Sequence, residues 1–278
     1  MKHLITTYCN RYKGDFLIDH WLRSLQEHVK LDNIDIMVID FGLSEEQRQR
    51  LTEKGVILNP QEAAGRMSNV HYSHLAGFLQ QHQYDQVLYS DCGDLVFQQD
   101  ISALFESNKD RFRLVLEPDF NFYLHRSTLG LEDVKKDQVP VIQSILGNKP
   151  TANCGFVLGP SQKLAGIWKN YLSFCDSAEK HGTDQLIINT IAYKEGFEEL
   201  PRKFNYVTFL NNEKMYIDSN GLYCNRDGVI PVVHNAGRYD FARRIRDFGY
   251  RTGSLKPKVY SDLFRAYYKV VEKISRVV

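Results

Sequence analysis

Cysteine is scarce and unpatterned in this 278-residue chain: the residues at 9, 92, 154, 175 and 224 form no C-x-x-C pair. An odd number without paired spacing argues against a disulfide framework or a structural zinc site and fits a reducing compartment. No apolar run approaches the ~20 residues that span a bilayer. The start, Met1-Lys2-His3-Leu4-Ile5, enters strand-like sequence without the apolar core of a signal peptide, so a cytoplasmic protein is expected. Neither G-x-G-x-x-G nor G-x-x-x-x-G-K-S/T occurs, which removes the dinucleotide fingerprint and the Walker phosphate loop. Internal repeats and Ser/Gly linkers are also missing, and 43% hydrophobic content excludes a disordered chain.

Charge of one sign is missing overall but not locally. The net charge is +1, yet residues 241–278 hold ten Lys/Arg against Asp247, Asp262 and Glu272. The tail therefore carries +7 and the first 240 residues −6. Two regions are expected, a body over 1–240 and a basic, aromatic extension over 241–278. Such a split suits contact with an anionic surface, or a helix docked on an acidic body.

The body alternates short apolar runs with helical patterns. Leu4 to Tyr8 reads as a buried strand, and Asp15 can cap a helix through about Val29. Ile34 to Ile39 is a second strand, and Ser44-Glu45-Glu46-Gln47 has capping-box spacing for a helix closed by Gly55. Val56 to Leu58, a helix near 69–82 and the strand Gln86 to Ser90 follow. Loops or short helices are expected from 117 to 152, where Pro118, Pro140 and Pro150 fall. This alternation predicts an α/β fold with a mostly parallel sheet.

Such sheets bind ligands beyond the carboxyl ends of their strands. That singles out Thr6-Thr7-Tyr8, Asp40 and Asp91-Cys92-Gly93-Asp94. With no glycine cradle, a bound phosphate needs another neutralising group, and a divalent cation on the acidic turn would serve. Asp and Gly are also ordinary turn formers, so the turn alone decides little. His234 strengthens the case: it follows the apolar run Val229 to Val233 and precedes Asn235-Ala236-Gly237-Arg238. An imidazole at a strand end can complete a coordination sphere while Arg238 pairs with phosphate.

The blocks around Thr6-Thr7-Tyr8, Asp40-Phe41-Gly42, Asp91 to Asp94, Asn153-Cys154-Gly155, Asp184 to Asn189 and His234-Asn235-Ala236-Gly237 fall in an order that resembles glycosyltransferase family 8. That family includes glycogenin and bacterial lipopolysaccharide galactosyl- and glucosyltransferases. The resemblance covers roughly residues 3–238 and implies a GT-A fold, a UDP-sugar donor, Mn²⁺ (or Mg²⁺) and transfer with retention. By the same resemblance Thr6, Thr7, Tyr8 and Asp40 meet the nucleoside, and Asp91, Asp94 and His234 hold the metal. Asn153, Gly155 and Asn189 match positions beside the donor sugar, and Asp184 and Gln185 match its reactive face. Gly237 belongs to the late block.

Three departures stand out. The acidic motif is D-x-x-D, Arg238 follows the late block where a later lysine is usual, and His74 occupies a common arginine position with Arg66 available to compensate. The expected acceptor is a glycan or glycolipid of surface polysaccharide biosynthesis, with the tail on an anionic membrane surface and dispensable for chemistry. A sugar nucleotidyltransferase would share the sheet and the cation, but no glycine-rich basic first loop is present. A nucleic-acid-binding module would use the tail alone, against an acidic body, so no nucleic-acid partner is expected.

Overall fold

A computed structural model describes residues 2–277 apart from 118, 212, 238, 239, 241 and 242, and without the side chains of 260 and 261. In chain order the first half runs β1 (His3–Cys9), α1 (Gly14–Phe16), a π turn over Leu17–Leu22, α2 (Arg23–His28), β2 (Ile34–Asp40), α3 (Glu45–Glu53), β3 (Ile57–Pro60), α4 (Met67–Gln81), β4 (Gln86–Ser90), β5 (Leu95–Phe97) and β6 (Phe112–Glu117). Next come α5 (Phe122–Thr128), α6 (Val139–Leu146), β7 (Thr151–Pro160), α7 (Ser161–Phe174), α8 (Thr183–Glu195), β8 (Phe197–Glu199), β9 (Tyr206–Val207), β10 (Tyr216–Ile217), β11 (Tyr223–Asn225), β12 (Gly228–Val229) and β13 (Val232–His234). A hairpin of β14 (Ile245–Gly249) and β15 (Thr252–Leu255) leads into α9 (Val259–Ser275).

The main sheet has the order β3-β2-β1-β4-β7-β6-β8, and only β7 runs against the rest. Successive strand residues point to opposite faces, and both faces are covered. Leu4, Met37, Ile39, Val87 and Val157 join the core under α4, α7 and α8. Ile5, Val38, Leu88 and Phe156 join the core with Trp21, Leu22 and Leu25. This two-sided burial is why the strands read as continuous apolar runs.

Most expected elements form, with local differences. Ser44 Oγ accepts from Gln47 N, and Gln47 Oε1 accepts from Ser44 N, completing the capping box. Asp15 is not a cap: the helix starts at Gly14 after Lys13, and Asp15 instead accepts from Gln47 Nε2 at 3.1 Å. The π turn, absent from the expectation, widens the helix where Leu17, Ile18, Trp21 and Leu22 are all buried.

The segment after residue 240 is not a loose basic arm. Ile245 and Tyr250 share a core with Val96, Tyr206, Tyr223 and Val233. The helix α9 packs on α5, and Asn121 Nδ2, at the N-cap of α5, donates to Glu272 Oε1 at 2.7 Å. Residues Phe264, Tyr268 and Ser275 lie on the docked side, whereas Leu263, Tyr267, Val270 and Ile274 stay 57–63% exposed. Several of the tail's basic groups turn inward: Arg244 and Arg265 are buried, and Lys256 pairs with Asp240 at 3.0 Å. Among the described residues, no helix is long and apolar enough to cross a membrane.

Candidate active site

The carboxyl edge of the main sheet carries the ends of β1, β4 and β6 and the start of the reversed β7. Asp91 follows β4, and Tyr89 two residues earlier donates its hydroxyl to Asp91 Oδ1 at 2.7 Å. Asp94 opens the way into β5, which pairs antiparallel with β13 so that His234 lies opposite Leu95. Asn235 N donates to Asp94 O at 2.8 Å and locks that register. A histidine remote in sequence thus comes to rest on the acidic turn.

His234 Nε2 lies 3.2 Å from Asp94 Oδ1 and 3.6 Å from Asp91 Oδ2. Its Nδ1 meets Asn205 Oδ1 at 2.9 Å, and Asn205 Nδ2 donates to Asn153 O at 3.2 Å. With Nδ1–H donating to Asn205, the Nε2 lone pair faces two carboxylates, an arrangement suited to a cation between them. Burial alone would lower the His234 pKa, but Asp94 and Asp91 outweigh it and raise it. Burial also raises Asp91, although a third of its side chain meets solvent. Desolvation also opposes ionisation of the partly buried Asp94, yet His234, Arg243 and Lys13 bring it below its ordinary value.

The three residues fit a hard divalent cation. One ligand atom from each lies within 4.8 Å of the others, and two carboxylates with one imidazole suit Mn²⁺ or Mg²⁺. Gly155 leaves the space open, because a Cβ there would sit 2.4 Å from His234 Cε1 and 2.7 Å from Asp91 Oδ2.

A cavity of about 400 Å³ joins this triad to Tyr8, Arg66, Asn153, Asp184, Gln185 and Gly237. Tyr8 stacks at 7° on Tyr89 with ring centroids 6.2 Å apart. Asp184 lies in the first turn of α8, where its N donates to the buried Asn69 Oδ1 at 3.2 Å. Burial, reinforced by Asp91, pushes the Asp184 carboxyl up to about 7. Asn189 does not line this cavity: its Oδ1 accepts from Ala152 N at 2.7 Å and its Nδ2 donates to Gln185 O at 2.8 Å. It ties α8 to β7 directly beneath Gln185.

Other expected contacts fall elsewhere. Thr6 and Thr7 are fully buried, and Thr6 Oγ1 donates to Met37 Sδ at 3.6 Å, because both faces of β1 are covered. Asp40 spends its carboxylate on Gly42 N, Leu43 N and Arg48 Nε, the last at 2.6 Å. With His74 it borders a separate open groove that includes Arg48 and Gln61. Arg238 lies outside the described residues.

Sequence reasoning missed Asn205, Arg243 and Glu117. Arg243 Nη2 meets Asp94 Oδ2 at 3.1 Å, and its Nε donates to Gly237 O. A charge excess pointed to the tail but not to this contact. All five cysteines are buried and free, and His71 and His125, both buried, are lowered to about 3 by desolvation and stay neutral.

No protein-family model matches the sequence, and no curated protein does. The fold, however, matches solved glycosyltransferases. An active-site mutant of LgtC superposes with TM-score 0.56 at 17% identity, over 86% of this chain and 89% of that one. The bifunctional glycosyltransferase WbbM in its apo form gives TM-score 0.56 at 14% identity, over 86% of this chain and 46% of that one. Apo GlyE of Streptococcus pneumoniae TIGR4 gives TM-score 0.56 at 16% identity, over 98% of this chain and 62% of that one. The chain therefore has a fold found in glycosyltransferases.

Proposed function

We propose that this protein is a metal-dependent glycosyltransferase that moves a hexose from a UDP-sugar to a glycan or glycolipid, with retention. The observation that carries this is the meeting of Asp91, Asp94 and His234 with Asp184 and Gln185 in one cavity at the carboxyl edge of the sheet. A divalent cation on the triad would supply the charge that stabilises a departing diphosphate. Lys13, Arg66 and Arg243 add fixed positive charge around an adjoining hollow on the acidic turn. Tyr8 offers a ring face to the nucleoside, and Asn153 and Gly155 lie beside the donor sugar.

Gln185 is a poor nucleophile, since an amide is unactivated at neutral pH. Front-side attack by the acceptor hydroxyl, guided by the leaving phosphate, therefore accounts for retention better than a covalent intermediate. Asp184 titrates near neutrality and would orient a sugar hydroxyl as donor or acceptor. The exposed stripe of Leu263, Tyr267, Val270 and Ile274, with the exposed Lys269 and Lys273, would rest on an anionic membrane surface. That placement suits surface polysaccharide biosynthesis.

The test is a panel of UDP-sugars with Mn²⁺. One donor should release UDP slowly by hydrolysis, and transfer should leave the anomeric configuration unchanged by NMR. Full turnover in excess chelator, or no UDP release from any donor, refutes the proposal.

A further inference from the structure

The cavity holding the acidic turn has a second, chemically different wall. Four aromatic rings line it: Phe120 after β6, Phe209 after β9, and Phe264 and Tyr268 on α9. They pack mostly edge to face, with centroid separations of 6.2 Å for Phe120–Tyr268, 5.7 Å for Phe209–Phe264 and 4.5 Å for Phe264–Tyr268. Beside them Glu117 ends β6 and lines the same cavity at 6% exposure, and its Oε1 has no hydrogen-bond partner. A buried carboxyl oxygen without a partner is costly, and a ligand hydroxyl would satisfy it. None of these five residues belongs to the acidic triad or to the Asp184–Gln185 pair.

We infer that Glu117 and the four rings form the acceptor subsite, which takes a pyranose ring against the aromatic wall and one free hydroxyl on Glu117. This rests on the glycosyl-transfer reading and names its acceptor as a saccharide. Sugars present an apolar C–H face and a hydroxyl edge, matching rings beside one unpaired acceptor. An acyl chain would use the rings but leave Glu117 unsatisfied. The tail helix thereby becomes part of the binding site, since α9 contributes two of the four rings.

The test uses the full chain with UDP and Mn²⁺, and methyl pyranosides and their singly deoxygenated analogues as probes. Saccharide affinity is read by saturation-transfer difference NMR, and UDP affinity separately by calorimetry. Tyr268→Leu should weaken the best pyranoside about tenfold, whereas Tyr268→Phe, which keeps the ring, should stay within about twofold. In the unmodified protein one deoxy analogue should bind about tenfold worse, and Glu117→Leu, which offers the hydroxyl no partner, should erase that discrimination while Glu117→Gln keeps it. UDP affinity should remain within about twofold in every variant, showing an intact donor site. Equal pyranoside binding by Tyr268→Leu, or saturation reaching only the alkyl chain of octyl glucoside, overturns the subsite. Absence of UDP binding by the unmodified protein overturns the glycosyl-transfer reading itself.

Discussion

Replacing Glu117 by glutamine should stabilise the protein, by an amount that grows with pH. Burial pushes the Glu117 carboxyl up to about 8 from an ordinary 4.5. Below the unfolded value both states are protonated and the carboxyl leaves stability untouched. Between the two values the unfolded chain releases its proton while the native one keeps it, so stability falls by about 1.4 kcal/mol per pH unit. The loss is complete once pH exceeds the native value. Glutamine cannot ionise, so the difference between variant and wild type tracks this loss alone. Any fixed cost of the new amide cancels between two pH values. From pH 5 to pH 7 the advantage of Glu117→Gln should grow by about 3 kcal/mol. For 278 residues that corresponds to about 5 °C in Tm. Differential scanning calorimetry at the two pH values reads it directly. A Tm difference that stays flat or shrinks with rising pH would refute the reasoning.

Three further outcomes are expected. Asp94→Asn or His234→Ala should abolish turnover and also remove the stabilisation by Mn²⁺, about 3 kcal/mol at a hundredfold excess over Kd and read as a Tm rise; an undiminished rise would disprove their part in the site. Asn121→Ala removes the cap that accepts from Tyr123 N and Leu124 N and also the bond to Glu272, so denaturant titration should show a loss of about 1–2 kcal/mol. Changing Leu263, Tyr267, Val270 and Ile274 to serine should weaken salt-sensitive binding to anionic vesicles with little change in Tm, because all four side chains are solvent-exposed. Unchanged vesicle binding would remove the membrane role.

What the sequence made legible was local. Strands such as Ile34 to Ile39 announce themselves because both sheet faces are covered and nearly every position wants an apolar side chain, Asp35 at the partly open edge excepted. The same fact puts Thr6 and Thr7, neighbours on β1, fully inside the protein, which a strand pattern alone does not tell from a ligand-facing end. The capping box at Ser44 was visible because its bonds span three residues. Asn205 was invisible because it reaches His234 only after β9 pairs with β13. Arg243 was counted as part of a basic tail, whereas its role depends on a contact with Asp94, far back in the chain. Helical periodicity does not say which of two apolar faces docks, and here the docked one carries Phe264 and Tyr268. The outward face here is the one that carries Leu263 and Tyr267.

The pairing of β5 with β13 also sets an order of events during synthesis. Asp94 leaves the ribosome about 140 residues before His234, and two of the four aromatic rings follow on α9. Loop closure over that distance is slow and cannot begin before its far end exists. A nascent or prematurely ended chain therefore carries the acidic turn without its imidazole and without Arg243. Such a chain lacks one of the three residues of the acidic triad's cluster. The triad is completed only in the last quarter of the chain, so under the proposed function abortive translation products should be unable to consume donor sugar.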